Sequence, residues 1–455
     1  MLSRRLAMTS LLLLPAAARA QAPAAPARPA VLTGARVIDG KGAAPLGGVT
    51  LVLDGGRIAW IGTGAPPAPP PGAETVDCAG KTIMPGLISA HSHIGVVDGL
   101  TAGADNYNRA NIMRQLRQFE TYGVTTIASL GLNRPLFYEL RAEQRAARAQ
   151  GADFPGADIL GADRGIGVTG GAPPAAVVSL AEDQIYRPAT AEAARAAVRE
   201  MAARGTDLVK VWLDDFGGAV PVKVSPEVYQ AVIDEAHRNN LRVAAHIHDI
   251  DDAVSMVRAG VDILAHGVRD RPVTEELASL MRARGTWYIA TLALDDSTFA
   301  FAERPPWLAE PFVQRALHPD VRAQFQDQAW AARTLASPGA ARARASLAMN
   351  KRNLKTLHEA GVRIGFGTDS GVGLRIPGLA EHRELALMVE AGLTPRQALA
   401  IATSGSAALL GLEDRGVLAA GRLADLVVLD ADPDAGIANT TRIQSVWHRG
   451  RRVAS

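Results

Sequence analysis

The chain has 455 residues, 48% of them hydrophobic and 21% charged, and a formal charge of +2. That length can bury a large core and leave a second, smaller domain, and the near-neutral balance argues against nucleic acid as a partner. Cys78 is the only cysteine, so an intrachain disulfide and thiolate-rich metal sites are excluded, and any metal must be held by imidazole and carboxylate.

Arg4 and Arg5 precede an apolar run, Leu6 to Leu14, and Ala18-Arg19-Ala20 is a small-residue cleavage site. This reads as a secretory signal over residues 1–20, too short to span a membrane, and predicts export, to the periplasm in a bacterium. Ser3-Arg4-Arg5 admits the twin-arginine route. Cleavage removes three arginines and no acids, which takes the formal charge from +2 to −1. Residues 21–30 are Ala/Pro-rich and read as a tether. No other stretch reads as a membrane span.

Short alternating strands follow over 31–82: Ala35 to Asp39, Val49 to Leu53 and Arg57 to Gly62, with Asp54-Gly55-Gly56 as a hairpin turn. From Ile83 an apolar strand runs to His91 and His93. Strand residues i and i+2 point the same way, so the two imidazoles can reach one metal ion. Strand-like and helix-like runs then alternate. Strands are predicted at Val124 to Ser129, Asp158 to Gly161, Asp207 to Trp212, Leu241 to His246, Val261 to His266, Thr286 to Leu292 and Val362 to Gly367. Ala191 to Arg204 is helical, and Ser225-Pro226-Glu227 opens another helix with a cap, a proline and an acid. With the strand ending in His93 these make eight βα units, which predicts a (β/α)8 TIM barrel over 83–412. The Ala/Arg-rich helical insertion 295–350 is either a lid or a packing appendage. Residues 413–455 return to strands and are expected to join 31–82 in a composite β-sandwich built from both chain ends.

Polar residues able to bind metal recur at the C-terminal ends of the predicted barrel strands: His91, His93, Lys210, His246, His266 and Asp369. Those ends converge at the mouth of a barrel, where six such groups are hard to attribute to surface decoration. Lys210 lies in an apolar strand, where burial disfavours its charge. Beside four histidines and an aspartate it reads as an N-carboxylated lysine, its CO2-derived carbamate bridging two metals. His248 is a candidate substrate contact. Arg164, Tyr288 and Arg375 lie near strand ends and could hold a substrate carboxylate. His237, His318, His358 and His448 read as structural or solvated, and His382 as packing or capping a helix.

The stretch Pro85-Gly86-Leu87-Ile88-Ser89-Ala90-His91-Ser92-His93 resembles the strand-one signature of the amidohydrolase superfamily. Ala391-Gly392-Leu393-Thr394-Pro395 and Gly416 to Val427 resemble its C-terminal part. The likeness runs from about residue 31 to 453 and is nearest the imidazolonepropionase-like and prolidase-like branch, which cleaves dipeptides and N-acyl amino acids. It implies two divalent metals, zinc in the first instance: His91 and His93 on one, His246 and His266 on the other, and Lys210 between them. Asp369 would bind the first metal and act as acid/base, His246 and Lys210 completing the catalytic set. The implied reaction is attack of a metal-bridging hydroxide on the C–N bond of a small-molecule amide, in a chain that could assemble as a homo-oligomer. The branch often carries Thr-Gly-Gly-His at a substrate-touching position, whereas this chain has Thr169-Gly170-Gly171-Ala172. Two rival readings remain: a deaminase or cyclic-amide or lactone hydrolase on the same centre, and a non-catalytic ligand-binding barrel.

Overall fold

The computed structural model describes residues 27–174, 178–216, 218 and 220–453. The signal segment read over 1–20, and with it the export expectation, lies outside the described residues, as do residues 21–26 of the tether. Among the described residues no helix is long and apolar enough to cross a membrane.

Eight parallel strands form the central sheet: Leu87–Ser92, Val124–Leu130, Asp158–Ala162, Leu208–Trp212, Arg242–His246, Ile263–Ala265, Trp287–Ile289 and Arg363–Gly365. They lie side by side in chain order, and the eighth meets the first where the Ala90 N–H donates to the Phe366 carbonyl (2.8 Å) and Ser92 bridges to Ser370. This is the predicted (β/α)8 barrel. Small and aliphatic residues fill its interior, among them Ala90, Ala128, Leu208, Ala244 and Ile263. The outward faces, such as Val209, Val211, Val243 and Leu264, pack under the helices. Helix starts follow local chemistry: the Ser225 side chain accepts the Val228 N–H, with Pro226 opening Pro226–Arg238.

Two predicted strands are corrected. The run from Ile83 to His93 is two strands: Thr82–Pro85 belongs to the end sheet and Leu87–Ser92 to the barrel. The break falls at Gly86, where a Cβ would stand 2.4 Å from Thr125 Oγ1, so the chain can pass only without a side chain. Strand seven stops at Ile289 instead of Leu292, because Thr291 turns into the left-handed region (φ 47°) and the helix Leu292–Asp296 begins.

Strands from both chain ends share one further sheet, in which Leu426–Leu429 pairs with Thr82–Pro85 and Ile443–His448. Its own apolar core includes Leu32, Leu51, Ile58, Ile83 and Trp447. A buried ionic joint ties it to the barrel: Asp158, opening the third barrel strand, meets Arg415 and Arg449 (2.7 Å each), while His448 Nδ1 lies 2.7 Å from Glu120. The insertion packs on the flank through Phe312, Leu317 and Phe325, in an apolar cluster shared with Tyr122 and Leu379.

Candidate metal centre

All six groups predicted at strand ends meet at one rim of the barrel. Simple alternation delivers two of them. Leu208 faces the interior while Val209 and Val211 face out, so Lys210 points inward; Ala244 and His246 follow the same parity. Alternation would send His91 and His266 outward, and the backbone corrects both. The pairing register of strand one slips between Ser89 and Ser92, a bulge-like irregularity that re-aims His91. His266 follows inward-facing Ala265 but has φ 102°, and Asp369 has φ 58°. Positive φ at residues other than glycine costs free energy and is retained where the surroundings over-determine it, here at the site itself. Gly367 completes the fit, since a Cβ there would come within 2.5 Å of the His91 Cβ.

Asp369 Oδ1 lies 3.2 Å from His91 Nε2 and 2.9 Å from His93 Nε2, and these donor atoms converge closely enough to share one cation. The other carboxylate oxygen is taken by Arg375, whose Nη2 donates to Oδ2 and whose Nε donates to the Asp369 carbonyl, both at 2.8 Å. Burial alone would raise the Asp369 carboxyl, but Arg375 and the two imidazoles outweigh it and hold it well below the usual range.

His266 lies between the others, its ring tilted against that of His91 (centroids 4.6 Å apart) and edge-on to that of His246 (4.2 Å). His246 Nε2 lies 2.8 Å from Asp214 Oδ2, which leaves Nδ1 as its bare nitrogen. His266 Nδ1 lies 2.9 Å from Thr291 Oγ1, whose hydroxyl donates to the Ala290 carbonyl. His266 Nδ1 is therefore the donor and Nε2 is bare. Burial lowers His91 to about 3 and depresses His246 and His266, so these imidazoles are neutral, the ligand form. Lys210 Nζ is fully buried, has no hydrogen-bond partner and lies 5.6 Å from the Trp212 ring centroid. Burial lowers this amine to about 7, with the Asp369 charge opposing. Both ring nitrogens of His91, Nδ1 of His93 and Nζ of Lys210 are buried polar atoms without partners, which fits a site built for cations.

The proposed substrate contacts fare differently. Tyr288 faces outward into the helix layer, where its hydroxyl accepts the Val268 N–H (2.9 Å) and meets Asn350 (3.4 Å); strand parity sends Trp287 and Ile289 inward instead. Arg164 lies over the Tyr186 ring, 4.6 Å from its centroid, within 4 Å of Asp163 and Glu200. Arg375 is in the site, but its guanidinium is committed to Asp369. His248 stays at the rim, with Nδ1 on Asp249 (2.7 Å) and a side chain 26% exposed. His382 packs against Phe312 and Tyr122, and its ring bridges Thr440 and the carbonyl of Tyr122, the C-cap residue of the helix Arg109–Thr121.

Sequence reasoning missed Asp214 and two buried carboxylates on the helix Leu379–Glu390. Glu381 accepts the hydroxyls of Ser89, Thr368 and Ser370 and the Gly378 N–H, tying strand one to the loop of Asp369. Glu384 accepts the N–H groups of Leu292 and Ala293 and so fixes the turn that carries Thr291. Only Asp214, two residues beyond a strand end, had a signal in the sequence. Glu381→Ala strands four buried donors, and leaving such groups unmet costs ~1–3 kcal/mol each. Urea unfolding is expected to show a loss of about 3 kcal/mol or more. A loss below about 1 kcal/mol would mean that water replaces the carboxylate.

A barrel whose strand ends gather four imidazoles, an ionised carboxylate and an unpartnered amine has the donor set of a metal-dependent hydrolase. The model of the amidohydrolase family matches residues 82–453, and the chain belongs to that family. It is accordingly a metal-dependent hydrolase acting on carbon–nitrogen bonds. Imidazolonepropionase of Streptomyces avermitilis is 26% identical over 421 residues, 90% of this chain and 89% of the relative. Among solved structures, a Xaa-Pro dipeptidase with methionine in its active site superposes with a TM-score of 0.73 at 22% identity, over 94% of this chain and 100% of the other. The ochratoxinase of A. niger superposes at 0.69 and 21%, over 94% and 96%. At those identities the two likenesses establish the fold.

Proposed function

We propose that this chain hydrolyses the amide bond of a dipeptide or an N-acyl amino acid, with two divalent cations, zinc by the character of the donor set. His91, His93 and Asp369 would hold one, His246 Nδ1 and His266 Nε2 the other, and Lys210 as its carbamate would lie between. The state of Lys210 carries this reading. An amine near pKa 7 is substantially uncharged at neutral pH. Its lone pair can add to CO2, forming the N–C bond as one proton leaves to water, and the product is an anion among neutral imidazoles. A deaminase working with one metal would have no use for it.

Bound cations would supply Lewis acidity and lower the pKa of water to about 7. The chain's own groups do the rest. Asp369, held ionised and aimed by Arg375, accepts the proton of the attacking water and returns it to the leaving amine nitrogen. Asp214 and Thr291 fix which nitrogen each of His246 and His266 presents. The Xaa-Pro dipeptidase likeness and the site's place at the barrel mouth support a small amide as substrate. Residues 1–20 support action outside the cytoplasm.

A screen of dipeptides, N-acyl amino acids and lactones against the zinc-loaded mature protein tests the substrate class; turnover of lactones alone would overturn it. Chelation is expected to abolish turnover and zinc to restore it, with two equivalents of metal bound per chain. A single equivalent at full activity would overturn the two-cation arrangement.

A further inference from the structure

Tyr288 and Arg375 are engaged elsewhere and Arg164 lies over the Tyr186 ring near Asp163 and Glu200, but a further guanidinium at the rim is not fully bonded. Arg269 follows the sixth strand, three residues beyond His266. Its backbone N–H donates to the His248 carbonyl at 3.0 Å, which sets it against the end of the fifth strand. Its side chain is 5% exposed, yet its contacts are poor. Nη2 is 3.5 Å from the Ile247 carbonyl, Nη1 is 3.6 Å from Asp295 Oδ1, and Nε has no partner. Asp295, beyond the seventh strand, is 9% exposed and its Oδ2 is also unpartnered. Burial raises the Asp295 carboxyl, against the opposing charge of Arg269, and so weakens its claim on the guanidinium. The charge of Arg269 acts on both His246 and Asp214, which places it beside the metal-binding groups.

An arginine carries five donors, and a buried one with a single marginal hydrogen bond leaves most of them unmet. Its planar fork matches a carboxylate, which can accept two parallel bonds. The neighbouring His248 offers a second donor from a ring whose Nδ1 is already on Asp249.

We propose that Arg269, with His248 beside it, anchors a free carboxylate of the substrate. The enzyme then selects amides whose amino-acid portion ends in an unblocked carboxylate over their neutral amide or ester counterparts. This deepens, and rests on, the amide-hydrolase reading above.

The test compares kcat/KM for an N-acyl amino acid and its C-terminal primary amide. Two charged hydrogen bonds predict a preference for the acid of roughly 100-fold or more, expressed mainly in KM. Arg269→Met is expected to bring the acid-to-amide ratio close to one, and Arg269→Lys to leave part of it. Because Arg269→Met isolates Asp295, the pair Arg269→Met/Asp295→Leu, which removes both buried partners, repeats the comparison in a core free of that stress. Calorimetry of free L-amino acids against their primary amides, on the metal-loaded protein, gives a second readout that needs no turnover. Binding of the acids should depend on Arg269. An acid preference that survives in the folded variants, or none in the native enzyme, overturns the anchor. If no amide is hydrolysed but acid binding still requires Arg269, the anchor stands and the hydrolase reading falls.

Discussion

Lys210→Ala is expected to abolish measurable turnover, and millimolar formate, acetate or propionate to restore part of it. Lys210 Nζ has no hydrogen-bond partner. The substitution therefore breaks no bond in the metal-free protein but deletes the atom that would carry the carbamate. Removing the side chain frees space between the apolar barrel interior and the imidazoles, where a short carboxylate can sit with its charge toward the cations. Lys210→Met is the companion variant. It keeps most of the volume without an amine, so it should be as stable as the native protein, inactive, and closed to rescue. Assembly should also depend on pH with a definite sign. The amine lies near 7, so carbamate formation in CO2-containing buffer should accelerate as pH rises through about 7 and the ammonium form disappears. Recovery of activity on adding metal to the metal-free protein reads that rate. Full turnover in Lys210→Ala without added acid would remove the bridge from the mechanism.

The six converging groups were legible because barrel geometry places the ends of parallel strands together, and a lysine inside Leu208-Val209-Lys210-Val211-Trp212 cannot be explained by the strand alone. How they converge was not. His91 and His266 occupy the wrong parity for an ideal strand, and only a register slip and a positive φ bring them inward. Neither leaves a mark in residue type. Tyr288 failed as a candidate for the converse reason, since its strand is regular and parity sends it outward. Arg269, Glu381 and Glu384 gain meaning only through partners far away in sequence: Glu384 closes a turn 91 and 92 residues earlier, and Glu381 reaches Ser89 across 292. Spacing rules see i+2 and i+4, and cannot see contacts of that range.

Asp369→Asn is expected to lower turnover by roughly 10²-fold or more, the usual worth of a positioned general acid/base, while metal content stays largely intact. The carboxylate has two jobs on two oxygens: Oδ1 faces His91 and His93, and Oδ2 receives Arg375. An asparagine is nearly isosteric and retains an oxygen for one of those jobs, and His91 and His93 are untouched, so a cation still has its imidazoles. Proton acceptance is what the amide cannot supply. The substitution also sets an NH2 against either Arg375 or the imidazoles, so the side chain should favour turning its oxygen toward whichever charge is stronger, the cation once bound. Three measurements separate chemistry from assembly: metal per chain, kcat, and the acid limb of the pH profile. A proton carrier predicts unchanged metal, reduced kcat and an altered acid limb. If metal falls in step with kcat, Asp369 acts chiefly as a ligand; if turnover and the acid limb are both unchanged, the proton travels through another group.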